Sequence, residues 1–441
     1  MTNPKEARRL TRASVLATVW PIILANASAP LLGLADTAVI GRTGSIESLG
    51  AIALGSLIFS FVYWSFGFLR MTTTGFVAQA DGAEDEEELR LSVFRALVMG
   101  AFLGLGLLLC QALIQWAAFY LLDGSKLVEQ QARIYFGVRI WGAPAALATY
   151  AITGALVGLE RSRLLLILQV FINGLNVALD VYLAGSLSMG VRGIALGTAI
   201  AEWVGLLAGL AMLWYLLRER TRIEFPFSRV LDKAALKGLF GAQFDILVRT
   251  LFLLAGFAWF TNEGAGFGDT VLAANHVLLQ LVSFSAFVLD GFAFATESLV
   301  GRAQGQGDRV TFDRAVRLTS ELGLVSALML SLAVALGGGW AVSALTDLSA
   351  VKQVAGTYLP FASVYIALSV GAFQLDGIFI GTTRTAAMRN ASIVSFVGLV
   401  GLSLMLTPHF QNAGLWCSFV GYVVLRALTL WVQLPSLRRD L

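Results

Sequence analysis

The sequence predicts an all-α integral membrane protein with twelve transmembrane helices arranged as two six-helix repeats. Hydrophobic residues make up 57% of its 441 residues and charged residues only 13%. Such a chain has more apolar surface than a water-soluble core can bury, in agreement with a mean hydropathy of +0.77. Apolar runs of about 20 residues recur along the whole length, enough to cross a hydrocarbon core of about 30 Å. These runs are apolar on every face, which predicts helices and not barrel strands.

The boundaries of the twelve helices follow from the apolar runs and the polar residues between them. The predicted helices are 13–38, 48–78, 92–122, 131–158, 163–186, 191–217, 236–261, 271–301, 312–346, 352–381, 386–408 and 411–434. Several are longer than one span needs, which tilt or short extensions into water would absorb. The first apolar run contains Pro21 and continues past 30 residues, so we interpret it as a retained helix and not as a cleaved signal peptide.

Basic residues predict the orientation of the chain in the membrane. With both termini inside, about 22 of the 31 Lys and Arg residues fall in cytoplasmic segments, as the positive-inside rule requires. We therefore expect a multi-pass protein of the cell inner membrane with cytoplasmic termini.

An internal repeat divides the chain near its midpoint. ITGALVGLER (152–161) realigns with LDGIFIGTTR (375–384) at an offset of about 223 residues. The predicted domains are an N-terminal lobe at 1–217, a cytoplasmic linker at 218–235 and a C-terminal lobe at 236–441. Because six helices is an even number, both lobes are expected to share one orientation, with a cleft between them.

Ionisable residues inside apolar helices are costly, so each is expected to have a partner or a function. In the first half, Asp36 ends a helix that Pro21 is expected to bend. FINGLNVALD (171–180) sets Asn173, Asn176 and Asp180 on one helical face. In the next helix, Thr198 and Glu202 are four residues apart. These groups form a candidate proton-loading site, and their alternative role is interhelical hydrogen bonding.

The second half contains a different set of ionisable residues. Asp245 and Arg249 are spaced i, i+4 and are interpreted as an ion pair on one helix. Asp290 and Glu297 are spaced i, i+7 on the next helix. Asp376 lies beside glycines that permit close packing, and either ion or substrate binding or plain interhelical bonding fits it. The acidic run EDEEE (84–88) is interpreted as a solvated loop.

Other function classes receive little support from the sequence. The two cysteines lie in apolar helices and the two histidines lack metal-ligand spacing, so we predict no metal site and no cofactor besides the coupling ion. The net charge of +3 comes from basic residues scattered among short loops, which does not favour nucleic acid. P-loop, HExxH and GxSxG motifs are absent from the sequence, so an ATPase or a membrane hydrolase is not favoured.

The motifs PLLGLADTAVIGR (30–42), FLRMTTTG (68–75), FINGLNVALD, LDGFAFATESLVGRAQGQG (289–307) and LDGIFIGTTRTAAMRNAS (375–392) resemble those of multidrug and toxic compound extrusion (MATE) transporters, in particular the DinF-like branch. The resemblance spans both halves in the same order. It implies two six-helix lobes that open outward as a V, and cation-coupled export of organic, often cationic or amphipathic, compounds.

Carried over residue by residue, the resemblance implies that Asp36 and Asp180 couple transport to protons, supported by Asn176 and Thr198, with Pro21 at the helix bend. It also leaves Na⁺ open as a less favoured coupling ion. We expect a monomer that contacts small organic substrates and membrane lipid. The alternatives are a flippase for lipids or lipid-linked precursors of the same superfamily and, less favoured, a membrane enzyme. Flippases usually line their cleft with several cationic residues, and away from their ends the predicted spans contain only Arg70, Arg139, Arg249 and Arg426.

Overall fold

The computed structural model of the chain describes residues 10–43, 45–121, 125–218, 220 and 229–439. Its described residues form helices and short turns. In the first half the helices are α1 (Arg12–Thr43), α2 (Ile46–Ser65), α3 (Phe68–Gly82), α4 (Glu86–Leu109), α5 (Gln111–Leu121), α6 (Lys126–Arg139), α7 (Ala143–Gly158), α8 (Ser162–Asp180) and α9 (Gly190–Arg218). In the second half they are α10 (Lys233–Ala265), α11 (Asp269–Gly305), α12 (Arg309–Leu345), α13 (Ser349–Gly381), α14 (Thr385–Trp431) and α15 (Leu434–Leu437).

Ten helical stretches among the described residues are long and apolar enough to cross a membrane. One of them contains all of α14, which is divided into two helical parts by a kink at Gln411, where φ is 49° and ψ is −131°. Counting the two parts of α14 separately and adding α1 gives the twelve predicted spans. The all-α membrane fold is therefore confirmed.

Three predicted helices are interrupted where the sequence suggested continuity. The segment predicted at 48–78 breaks at Phe66 and Gly67, and the segment predicted at 92–122 breaks at Cys110. The segment predicted at 131–158 contains a tight turn at Ile140–Gly142, directly before Pro144. Apolar composition does not reveal such breaks, because lipid accepts apolar residues in a kinked helix as readily as in a straight one.

Packing groups the chain into two compact units, residues 24–236 and residues 237–441 together with 1–23. The predicted lobe boundaries stay a prediction, and the contacts add that the beginning of α1 belongs with the second half. There, Arg12 pairs with Glu321 at 2.8 Å. The predicted linker lies largely outside the described residues.

Equivalent helices form the centre of each unit. In one unit α7 packs against α3, α4 and α9, and in the other α13 packs against α11, α12 and α14. The most apolar windows of the segments containing α7 and α13 are 78% and 72% buried, whereas those of the other spans are 17–44% buried. Each unit is therefore built around one buried central helix, α7 in the first and α13 in the second.

Short approaches between these central helices and their neighbours repeat at the sequence offset of 223. A Cβ atom at Gly154 would lie 2.4 Å from the carbonyl oxygen of Arg70, and one at Gly377 would lie 2.6 Å from that of Ala293. The next turn repeats the pattern, with Gly158 against Thr74 and Gly381 against Glu297. Only a residue without a side chain permits this separation of backbones.

The acidic run at 84–88 is a solvated loop only in part, because Glu84 and Asp85 lie exposed before the helix whereas Glu86, Glu87 and Glu88 form the first turn of α4. Asp85 caps α4, because its side chain accepts a hydrogen bond from the amide of Glu88. Arg229 then pairs with Glu87 at 2.6 Å, and Arg220 pairs with Glu86 at 3.1 Å. The described part of the linker is thus attached to the start of α4 by ion pairs.

Candidate functional site

The polar face of α8 forms hydrogen bonds with two other helices. The Asn173 side chain donates to the Ser28 hydroxyl of α1 at 2.7 Å. The Asn176 side chain donates to the Thr198 hydroxyl of α9 at 2.9 Å, and Thr198 in turn donates to the carbonyl of Ile194 at 3.0 Å. The predicted stripe therefore links α1, α8 and α9.

At the end of this stripe the carboxyl groups of Asp36 and Asp180 lie within hydrogen-bonding reach of each other. Asp180 is fully buried and Asp36 is 6% exposed. Apart from Asp36, no donor among the described residues reaches either carboxyl oxygen of Asp180. A carboxylate has no donor of its own, so a hydrogen bond between these two groups requires that one of them carries a proton.

The local backbone explains why Asp180 can lie so deep. A Cβ atom at Gly197 of α9 would be 2.5 Å from Oδ1 of Asp180, so the absence of a side chain there makes room for the carboxyl group. Directly after Asp180 the chain widens into a π-helical turn, Val181–Ser186. Such turns are rare and occur often at functional sites.

Arg139, at the end of α6, is the cation that acts on this cluster. It interacts electrostatically with Asp36, Asp180 and Glu202. Its Nη1 donates to the Tyr135 hydroxyl at 2.7 Å, and its guanidinium lies 4.6 Å from the centre of the Phe59 ring. One positive charge therefore faces three carboxyl groups.

Glu202 lies on α9 close to Arg139 but forms no salt bridge with it within the described residues. Its Oε2 is buried and has no hydrogen-bond partner in the part of the chain that the structure describes. A Cβ atom at Gly142 would be 1.8 Å from this oxygen, so the turn between α6 and α7 provides the space for the carboxylate. Glu202 and the aspartate pair thus share the electrostatic influence of one arginine.

In the second half the predicted ion pair between Asp245 and Arg249 is wrong. Asp245 accepts hydrogen bonds from Arg389 at 2.6 Å and from the Thr385 hydroxyl at 2.9 Å, both on α14. Arg249 instead donates to Asp376 on α13. The i, i+4 spacing places the two side chains on one face, but residues of other helices approach each of them more closely.

Asp376 is buried and bonded to two arginines. Arg249 of α10 and Arg426 of α14 both donate to its Oδ2. All three side chains are buried, at 5%, 7% and 7% exposure for Asp376, Arg249 and Arg426. Of the other second-half candidates, Glu297 is buried on α11 and Asp290, one residue before Gly291, is half-buried.

Sequence reasoning placed Pro21 at a helix bend. The structure shows that α1 runs helically through this position, and Pro21 itself is buried. Proline has no amide hydrogen, so the carbonyl of Ala17 has no partner in the helix.

Several residues that shape the site were not identified from the sequence as site residues. Arg139 and Arg426 are charged residues within apolar segments, a signal that identifies a polar site but not its partners. Gly142 and Gly197 carry no comparable signal, because the sequence contains 45 glycines and only the packing shows which of them face a carboxylate.

Comparison with known proteins agrees with this architecture. The MatE family model matches residues 21–182 and 250–406. DNA damage-inducible protein F of Escherichia coli (strain K12) is 36% identical over 410 residues, which cover 93% of this chain and 89% of that protein. The probable multidrug resistance protein NorM of Neisseria meningitidis serogroup A is 26% identical, with 97% of this chain and 93% of the relative covered.

Solved structures show the same fold at lower identity. A multidrug resistance MATE family transporter of the MOP superfamily in an outward-facing conformation is 18% identical, with a TM-score of 0.86 over 97% of each chain. MATE in the bent conformation is 20% identical, with a TM-score of 0.85 over 97% of this chain and 96% of that chain. With a family model that matches more than half of its residues and a relative of 36% identity across most of its length, the chain belongs to the MatE family of multidrug and toxic compound efflux transporters, which are transporters and not enzymes.

Proposed function

We propose that the protein is a proton-coupled exporter of organic compounds in the cell inner membrane, with both termini in the cytoplasm. It exchanges external protons for internal substrates, often cationic or amphipathic, by alternating access. The observation that carries this proposal is the contact between the buried carboxyl groups of Asp36 and Asp180, which needs a proton to form a hydrogen bond.

The same contact suggests how a proton changes the site. Without a proton, two carboxylates repel each other at membrane depth, where charge is costly. With one proton they form a hydrogen bond that ties α1 to the end of α8. Proton binding therefore makes the contact between α1 and α8 attractive, and proton release makes it repulsive. The two states can favour different positions of α1. Arg139 supplies the countercharge that stabilises the ionised state.

Protons are favoured over Na⁺ because two of the second-half carboxylates already have cationic partners. Asp245 is bonded to Arg389, and Asp376 is bonded to Arg249 and Arg426. A sodium ion at either residue would have to displace a guanidinium group. Lipid or lipid-linked precursor transport is the alternative function. It receives less support because the one arginine near the proposed proton site, Arg139, faces three carboxyl groups.

The decisive test is efflux of ethidium from proteoliposomes that contain the purified protein, driven either by a pH gradient or by a Na⁺ gradient. We expect the pH gradient to drive efflux in the wild type, and Asp36→Asn and Asp180→Asn to abolish it. Asparagine keeps the size and polarity of the side chain but cannot exchange a proton. Since the two carboxyl groups act as one unit, the double variant should be no worse than either single variant.

Asp347→Asn is the matched control, because the Asp347 side chain is fully exposed between α12 and α13. It should transport like the wild type. Efflux driven by Na⁺ alone, or a wild-type rate in Asp36→Asn, would contradict proton coupling at this pair.

A further inference from the structure

The cluster formed by Arg249, Asp376 and Arg426 carries more positive than negative charge. Both arginines donate to the same oxygen of Asp376, and all three side chains are at least nine-tenths buried. The strongest electrostatic neighbours of Arg426 are Asp376 and the phenol groups of Tyr422 and Tyr365, which are neutral at physiological pH. Counted by themselves, two guanidinium groups and one carboxylate carry one net positive charge inside a membrane-spanning unit, where charge is costly.

The cluster also contains hydrogen-bond donors that nothing in the described part of the chain uses. The Nε atoms of Arg249 and Arg426 are buried and have no partner, and the hydroxyl of Tyr422, a residue that is 1% exposed, has none either. Each guanidinium reaches Asp376 through one terminal nitrogen, so its forked face is not matched to this carboxylate. Unused forked donors with an excess positive charge are the features that bind carboxylate and phosphate groups.

Buried aromatic rings of the apolar core pack in the same region. Tyr365 stacks on Phe419 with ring centres 4.7 Å apart, and Phe419 stacks on Tyr422 at 6.2 Å. A ligand that places an anionic group at the arginines would therefore have its apolar body next to aromatic side chains. This combination of charged and apolar neighbours fits an amphipathic molecule.

We propose that the Arg249–Asp376–Arg426 cluster binds the carboxylate or phosphate group of an amphipathic anion or zwitterion, and that it forms a substrate site separate from the Asp36–Asp180 pair. The ligand competes with Asp376 for the guanidinium groups and uses their free donors. The alternative is an interhelical ion cluster with a purely structural role. The two differ in how ligand affinity responds to the charge of the cluster.

Calorimetric titration of the purified full-length protein in dodecyl maltoside tests this with three probes that share one ring system: 1-naphthyl phosphate, 1-naphthoate and 1-naphthylmethylammonium. We expect the two anions to bind and the ammonium compound to bind more weakly at this site. Arg426→Gln and Arg249→Gln each make the cluster neutral, and each should weaken anion binding about tenfold or more, the usual effect of losing a charge-assisted hydrogen bond. Asp376→Asn raises the net charge and should strengthen it.

Arg389→Gln is the matched control. Arg389 lies on α14, as Arg426 does, but it pairs with Asp245 of α10, outside the cluster. Its anion affinity should equal that of the wild type. Should Asp376→Asn fail to fold, Arg426→Gln decides alone, since it keeps a balanced pair of Arg249 and Asp376. Anion affinities unchanged in both arginine variants, or a wild type that does not prefer the anions, would overturn the proposal.

A second arm distinguishes a soluble ligand from a lipid headgroup. The titration with 1-naphthyl phosphate is repeated in phosphatidylcholine nanodiscs with and without phosphatidylglycerol. Weaker binding in the anionic discs, seen in the wild type and absent in Arg426→Gln, assigns the site to an anionic lipid headgroup. Equal binding in both discs assigns it to soluble amphipathic anions. These measurements involve no proton gradient, so their outcome is independent of whether Asp36 and Asp180 couple transport to protons.

Discussion

The carboxyl group of Asp180 lies where Gly197 leaves room for it, and this makes the glycine a test of the proton site. In Gly197→Ala the new methyl group would stand 2.5 Å from Oδ1, so the carboxyl group has to move away from α9. We expect the contact with Asp36 to be lost and pH-driven efflux of ethidium to fall about tenfold or more, because small displacements of reacting groups have large effects on rate.

Gly174→Ala on α8 is the control for this variant, since a Cβ atom there meets nothing within 4 Å. It should transport normally. Equal transport by the two alanine variants would show that the position of the Asp180 carboxyl group is not critical for coupling.

At the scale of single residues, the sequence identified the charged groups but not all of their partners. Asp36 and Asp180 could be predicted because charge in an apolar helix is conspicuous and costly. The partners of Asp245 and Arg249 could not, because the i, i+4 rule describes one isolated helix. The approach of α13 and α14, which decides the outcome, depends on packing between segments more than 120 residues apart.

At the scale of helices, the closest contacts rest on glycines that repeat between the two halves. A Cβ atom at Gly377 would lie 2.6 Å from the carbonyl oxygen of Ala293, and backbone atoms cannot rotate away as a flexible side chain can. We expect Gly377→Ala and Gly154→Ala each to lower the free energy of unfolding by about 1–3 kcal/mol through overpacking. Gly356→Ala on α13, where a Cβ atom meets nothing within 4 Å, should change it by no more than about 1 kcal/mol.

Thermal unfolding in detergent, followed by the intrinsic fluorescence of the 10 tryptophans, measures these differences. If Gly377→Ala unfolds at the same temperature as Gly356→Ala, the close approach of α11 and α13 is not needed for stability.

The start of α12 provides a prediction about pH. Asp308 caps this helix by accepting from the Thr311 hydroxyl at 2.5 Å and from the amides of Val310 and Thr311 at 3.0 and 3.1 Å. These donors lower the pKa of Asp308, with the Thr311 hydroxyl as the largest cause. A lowered pKa in the folded state means that the cap stabilises the protein above the unfolded pKa of about 3.9 and loses this effect as the pH falls through the folded value.

Asp308→Ala should therefore lower the unfolding free energy by about 1 kcal/mol at pH 7, the usual value of a helix cap. The difference from the wild type should shrink as the pH falls below about 4. Melting curves of both proteins between pH 3 and pH 7 provide the measurement. A difference that does not change with pH would show that the charge of Asp308 is unimportant for the cap.

At the scale of the whole chain, the repeat found in the sequence is also present in the backbone. Six of the eight described residues with positive φ angles form pairs 223 positions apart, namely Glu84 with Gly307, Glu160 with Thr383, and Ser188 with Gln411. The two halves therefore turn at equivalent points. Their ionisable residues are not equivalent, since Ser403 stands 223 positions after Asp180. A shared fold could be predicted from the repeat, whereas the different chemistry of each half could not.

The proposed orientation of the chain in the membrane rests on the positions of its basic residues, and two exposed leucines test it. Leu231, 76% exposed, lies between α9 and α10 beside the basic segment that we place in the cytoplasm. Leu348, 65% exposed, lies between α12 and α13. The three spans α10, α11 and α12 separate the two positions, and an odd number of spans places them on opposite sides of the membrane.

Single cysteines at these positions, in a background in which Cys110 and Cys417 are replaced by alanine, should therefore react differently with a membrane-impermeant maleimide. In intact spheroplasts we expect Leu348→Cys to be labelled and Leu231→Cys to be protected, and both to be labelled once the membrane is opened with detergent. The reverse pattern would place the termini outside, and basic residues would then be concentrated on the side that the positive-inside rule disfavours. Labelling of both before detergent, or of neither, would mean that the segment between them crosses the membrane an even number of times, and the twelve-span topology would then be wrong.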